Sequence, residues 1–146
     1  MTGMPPRRIL RSIVLDAISD RRAMEDPEIA EETARIIDAH RRLHDRLADD
    51  APPLDDEARD ALALACLHAR IWRESYVDSW AHTNEKAIIL QARQAVQRID
   101  RTERALGFRY RLASECLEGC EMVSIDELRS RPRCADPEIP MGKENA

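Results

Sequence analysis

Residues 55–76 read DDEARDALALACLHARIWRESY. Within them Ala58, Leu62, Ala65, Ala69, Trp72 and Tyr76 follow one another at steps of four, three, four, three and four. That is the heptad spacing of an apolar helical seam. The same steps occur in Ile29, Thr33, Ile36, His40, Leu43 and Leu47, and again in Ile88, Ala92, Ala95, Ile99, Thr102 and Leu106. Three seams in one short chain predict long helices that pack side by side and nearly aligned, with alanines and threonines letting their backbones come close. The expected fold class is therefore all-α: an antiparallel helical hairpin or bundle with long helices and a flexible C-terminal tail.

Local signals set the expected ends of these helices. Pro5-Pro6 precedes a stripe of Ile9, Leu10, Ile13, Val14 and Ala17. In EDPEIAEE, Asp26 can cap and Pro27 suits a first turn, while Glu28, Glu31 and Glu32 favour the positive end of a helix dipole. ADDAPPLDD then breaks the chain, and a third helix is expected from about Asp55. HTNE, residues 82–85, offers a bend or a new cap at Thr83 or Asn84. Gly107 ends the next segment, with Phe108 folding back apolar surface. RYRLASECLEGC reads as a shorter helix ending near Gly119, and Ser124 to Glu127 reads as a capping box. Sparse β-branched residues argue against a sheet. One helical domain is expected over 1–130, and a disordered or partner-ordered tail over 131–146. The tetrapeptide DPEI at 26–29 recurs at 136–139, but there Pro140 follows and forbids the same helix start.

Charge is abundant and uneven. Charged residues make up 35% of the chain and the net charge is −5. Residues 25–60 carry −8, whereas 85–111 carry +4. The asymmetry predicts either packing between oppositely charged helices or a localised contact with a polyanion. The overall acidity excludes a protein that coats nucleic acid along its whole surface. In the basic segment, Arg98, Arg101 and Arg109 are the candidate nucleic-acid contacts, near a turn at Gly107 that would present them together. The plainer alternative is a solvated face that pairs with the acidic second helix.

Only five aromatic residues occur among 146, and Trp72, Tyr76 and Trp80 step by four along one helix face. Core packing is one reading. The other is an anchor for a protein partner made of Trp72, Arg73, Tyr76 and Trp80, since Trp, Tyr and Arg dominate interface hot spots. His40 and His44 lie one turn apart. Either His40 fixes helix register as a polar seam residue, or the pair makes a pH-sensitive contact, or it binds a metal with carboxylates from neighbouring turns. Arg41 and Arg42 between them oppose a dication, so no metal and no cofactor is expected. No P-loop, GxGxxG, GxSxG or HExxH pattern occurs, and the acidic pairs sit at helix starts as dipole partners. A non-enzymatic interaction protein is expected, and a thin bundle of this kind gains from self-association. Cys66, Cys116, Cys120 and Cys134 match no zinc spacing and read as reduced thiols of a cytoplasmic protein. Nothing approaches the roughly 20 apolar residues of a membrane span, and Arg11 and Asp16 interrupt the only signal-peptide-like run.

DEARDALALACLHARIWRE followed by AIILQARQAVQRIDRTERALGFRYR, about residues 56–113, resembles the helical region of small terminase subunits of tailed bacteriophages. In one branch of that family a Trp-containing helix precedes an Ala- and Arg-rich helix with a closing phrase similar to ERALGFRYR. The resemblance implies a ring-forming protein that binds viral DNA and recruits the large packaging motor.

Overall fold

The computed structural model describes residues 3–23, 26–80, 86–112 and 120–125, with backbone only for 75–80, 112, 120, 121 and 123. The expected break at 82–85, the Cys116 and Cys134 thiols and the tail at 131–146 lie outside the described residues. The elements are α1 (Arg7–Ala23), a short 3₁₀ turn (Pro27–Ile29), α2 (Ala30–Asp45), α3 (Asp56–Trp80), α4 (Lys86–Leu106), β1 (Phe108–Leu112) and β2 (Cys120–Ser124). The fold is all-α, a bundle of long helices with one short ribbon. Among the described residues no helix is long and apolar enough to cross a membrane.

The starts follow the sequence signals. The Pro6 carbonyl accepts from Ile9 at 2.9 Å and from Leu10 at 3.2 Å, opening α1 directly after the proline pair. The Asp26 carboxylate accepts from the Glu28 amide at 2.9 Å, and the Asp55 carboxylate accepts from the Ala58 amide at 2.8 Å. Each satisfies a donor that the first helical turn leaves orphaned. The segment between α2 and α3 is sewn to α1: Arg7 donates to the Pro52 carbonyl at 2.9 Å and Arg11 to the Leu47 carbonyl at 2.8 Å.

Contacts across the bundle fix the directions of the helices. His40 of α2 meets His68 of α3 while Arg46 meets Asp55, so α2 and α3 run antiparallel. Arg59 donates to the Leu106 carbonyl and Arg70 meets Asp100 and Glu103, so α3 and α4 do as well. Helix α3 is central. Ala58, Leu62, Ala63, Ala65, Cys66, Leu67 and Ala69 are all buried, an arc far wider than one stripe. Leu10, Ile13, Val14 and Ala17 pack on it from α1, and Ile99 and Leu106 from α4.

The seams of α3 and α4 hold over most of their length, with Trp72 and Ile88 half-buried and the Tyr76 side chain outside the described residues. Ala58, Leu62, Ala65 and Ala69 are buried, as are Ala92, Ala95, Ile99, Thr102 and Leu106. The seam of α2 is displaced. Thr33, Ile37, His40, Leu43 and Leu47 face inward, whereas Ile36 is half-buried and Ile29 is 40% exposed. Helix α2 packs mainly against α1, so its inner face is rotated toward Thr33 and Ile37, and Ile29 and Ile36 are left on the outer flank.

A second correction concerns the segment after Gly107. No helix forms at 109–112. Instead β1 pairs antiparallel with β2, from Phe108 opposite Ser124 to Leu112 opposite Cys120. Gly107 adopts φ +90°, and its amide closes α4 on the Glu103 carbonyl at 2.8 Å. This left-handed residue stops the helix. The alternation Phe-Arg-Tyr-Arg-Leu then fits a pleat of period two, with Phe108 and Tyr110 packed against the bundle core. Ser124 is the last residue of β2, and Glu127, its expected capping partner, lies outside the described residues.

These burials separate Ile37 and Ile99 from Ile36. Ile99→Asp and Ile37→Asp should each cost about 4 kcal/mol or more, because a carboxylate would be buried without a partner. Ile36→Asp should cost far less than either and keep a cooperative melt. Thermal unfolding followed by circular dichroism reads all three, and equal losses at Ile36 and Ile37 would refute the rotated face.

Candidate functional site

Beyond its alanine seam, helix α3 carries two inward-reaching arginines, Arg70 buried and Arg73 half-buried. Arg70 is 8% exposed; it bonds Asp100 at 2.7 Å and Glu74 at 3.2 Å, and also bonds Glu103. Burial opposes its charge, but Glu103, Asp100 and Glu74 outweigh that and raise its pKa above the ordinary value. Glu103 is 1% exposed, and burial pushes its carboxyl up to about 7 against the pull of Arg70 and Arg109. Arg109 of β1 stands 4.0 Å from Glu103 as the second cation of this cluster. Helices α3 and α4 and the ribbon therefore share one ionic joint. Tyr110 extends the attachment by donating its hydroxyl to Asp60.

Arg73 makes a corresponding joint to α1, 3.2 Å from Asp16 and bonded to Asp20. Burial raises the Asp16 carboxyl, with Arg73 and Arg98 pulling the other way. Arg98 is half-buried and lines the polar cleft of about 310 Å³ that also holds Asp16, Gln91 and Gln94. Of the proposed partner anchor, Trp72 is half-buried and Arg73 is tied to α1, while the Tyr76 and Trp80 side chains lie outside the described residues.

His40 does not pair with His44. Its Nε2 lies 2.8 Å from Nδ1 of His68, so one ring donates to the other across the α2–α3 seam. Burial lowers the His40 pKa to about 4, and burial together with His40 lowers that of His68 to about 3. Both rings are neutral at pH 7. His44 sits on the flank, with Nδ1 3.9 Å from Asp45. Among the described residues no three His, Cys, Asp or Glu side chains converge as a metal would require.

The outer face of α4 has a different character. Lys86, Leu90, Arg93, Gln97, Arg101 and Arg104 are exposed at steps of four, three, four, four and three, so they form one stripe roughly 27 Å long at 1.5 Å per residue. The only acids between residues 86 and 106 are Asp100 and Glu103, and both turn inward to Arg70. Among the described residues no carboxylate forms an ion pair with Lys86, Arg93, Arg101 or Arg104. Of the three arginines singled out in the sequence, Arg101 belongs to this stripe. Arg98 leans into the Asp16 cleft and Arg109 toward Glu103, so the three do not form one patch.

The sequence matches no protein-family description, and no characterised protein or solved structure matches the chain.

The two buried titrations act in opposite senses. The histidine pair has its folded pKa values below the ordinary 6.5, so its contribution is present above pH 6.5 and is lost as pH falls toward about 4. Glu103 has its folded value raised from 4.5 to about 7, so its contribution is present below pH 4.5 and is lost as pH rises through about 7. In melting temperature against pH, the double change His40→Asn and His68→Asn should remove the acid-side fall between pH 6.5 and 4. Glu103→Gln should remove the decline between pH 4.5 and 7. Unchanged slopes in either variant would show that the group does not titrate as its burial requires.

Proposed function

We propose that this chain is a non-enzymatic helical adaptor that associates with itself and binds nucleic-acid phosphates through the outer face of α4. The observation that carries this reading is the stripe of Lys86, Arg93, Arg101 and Arg104, which faces solvent and holds no acid at any of its positions. A solvated helix face ordinarily mixes both signs of charge. Here both acids of α4 are used inward, and a single-sign field about 27 Å long remains. Cations strung along one helix face, with Gln97 the one neutral polar side chain among them, suit phosphate positioning more than sequence readout. Exposure of Leu90 in the same stripe, at 57%, adds apolar contact with a sugar or a neighbouring subunit.

The resemblance to small terminase subunits covers α3, α4 and the start of the ribbon, and the stripe lies in that stretch. A DNA-packaging adaptor is therefore the specific form of the proposal. Several copies in one assembly would multiply a weak contact by each. The metal-binding alternative is weaker on geometry, because His40 spends its second nitrogen on His68 and leaves His44 without it.

Binding to duplex DNA should be steeply salt-dependent. Four phosphate contacts per copy give a slope of about −3.6 in log affinity against log salt. Arg93→Gln, Arg101→Gln and Arg104→Gln together should flatten it by about 2.7 and leave the melting temperature unchanged, since all three are exposed. Arg109→Gln should instead lower stability by uncompensating Glu103, with a smaller effect on the slope. Fluorescence anisotropy at 20–200 mM salt measures both (concentrations of roughly this order span the Debye regime). A wild-type protein without DNA affinity at the lowest salt would overturn the proposal.

A further inference from the structure

Helices α2 and α3 leave a trough between them on the side away from α1. One part, about 330 Å³, is floored by Ile36, Ala39, Ala61 and Leu64 with Glu32 and Arg35 at its rim. The next, about 460 Å³, shares Ala39 and Ala61 and continues to Arg42, Arg46 and Glu57. From Glu32 to Arg46 the trough runs roughly 21 Å along α2, four turns of helix. Alanines at its middle leave room for another helix to approach closely. The wide apolar arc of α2 explains why the trough exists. Its inner edge, Thr33 and Ile37, is covered within the bundle, and its outer edge, Ile29 and Ile36, is not.

We infer that the trough is a two-fold interface, in which α2 of a second copy of this chain lies antiparallel against α2 of the first. Charge complementarity on α2 selects this occupant. Glu32 lines the trough at its N-terminal end, with the exposed Glu28 one turn before it in the 3₁₀ turn, and Arg42 and Arg46 line its C-terminal end. An antiparallel pairing centred on residue 37 sets Glu28 opposite the second copy's Arg46, and Glu32 opposite its Arg42. The two-fold axis repeats both pairs, and Ile36 and Ala39 meet at the centre. A parallel pairing would set Glu32 against Glu32 and Arg42 against Arg42. In the single chain Arg42 bonds only the exposed Asp38 one turn away, and Arg46 reaches Asp55 at 2.9 Å and Glu57 at 3.6 Å, yet the Arg42 side chain stays 68% exposed and that of Arg46 42%. Because the same patch serves both copies, the assembly is isologous and closes at two. It leaves the α4 stripes of both copies outward.

This inference rests on the self-association in the proposed function and names its surface. The test is a charge exchange read by sedimentation equilibrium at low salt. The wild type should sediment at twice the chain mass. Glu32→Arg alone and Arg42→Glu alone should each weaken the dimer about tenfold or more, since two ion pairs become like-charge contacts. The double variant should recover it. An equimolar mixture of the two single variants should also dimerise, because each then offers the charge that the other needs. Unchanged helical circular dichroism in each single variant shows that the fold is retained, and the mixture supplies the answer even if one variant is less stable alone. A dimer indifferent to these changes would overturn the trough as the interface while leaving self-association standing. A monomeric wild type would overturn both. Weakening by Glu32→Arg without recovery in the double variant would also overturn it, pointing to a head-to-tail contact between α2 and the α4 stripe.

Discussion

A central helix whose buried face is largely alanine has limited side-chain volume with which to hold its neighbours, and that limit governs this bundle. Helix α3 buries Ala58, Ala63, Ala65 and Ala69 against surrounding helices, so the backbones come close but each contact is shallow. The long reach of Arg70 and Arg73 supplies what the alanines lack. Each guanidinium leaves the helix surface, enters a seam and meets carboxylates of another element, Arg70 those of α4 and Arg73 those of α1. Buried charges of this kind contribute little net stability relative to apolar packing, but an unpaired one is costly. They therefore act on register: any slip of α3 along α1 or α4 would strand a charge.

The outward chemistry follows from the inward one. Drawing Asp100 and Glu103 to Arg70 buries Glu103, spends the half-buried Asp100 on an ion pair and leaves the outer stripe of α4 with one sign. The same joint takes Arg109 from the ribbon, so the cations available to a polyanion are those on the helix stripe and not those gathered at the turn. On α2 the effect is different. The carboxylates and guanidiniums there remain on the surface, with Glu32 toward one end of the trough and Arg42 and Arg46 toward the other. Among the described residues no ion pair joins α2 to α4, although the opposite signs of the two stretches invite that reading.

Much of the architecture was legible because it depends on local rules. Pro6, Asp26, Asp55 and Gly107 mark helix ends by backbone chemistry that needs no tertiary information. The four-three spacing of Ala58 to Ala69 and of Ala92 to Leu106 identifies buried faces because both helices pack on broad partners. The same spacing misplaced Ile36, since a helix packed mainly on one neighbour can rotate its arc by one residue without changing its period. Glu103 sits four residues after Ile99 and three before Leu106, on the apolar face, and that position was the available signal for its burial. His68 stood inside the very stretch that reveals α3, but a partner 28 positions away cannot be read from spacing. The strand at 108–112 was missed because helix propensity was weighed over the aromatic alternation that follows a left-handed glycine.

Small contacts in a thin bundle also shape its response to temperature. Alanine-lined seams expose less apolar surface on unfolding than leucine-lined ones, and apolar exposure is the main source of the heat-capacity increment. A smaller increment flattens the curve of stability against temperature. The ionic joints act in the same direction, because the cost of desolvating charge falls as temperature rises. The alanine-rich centre of α3 thus gives a protein of modest peak stability whose stability changes little between cold and warm conditions.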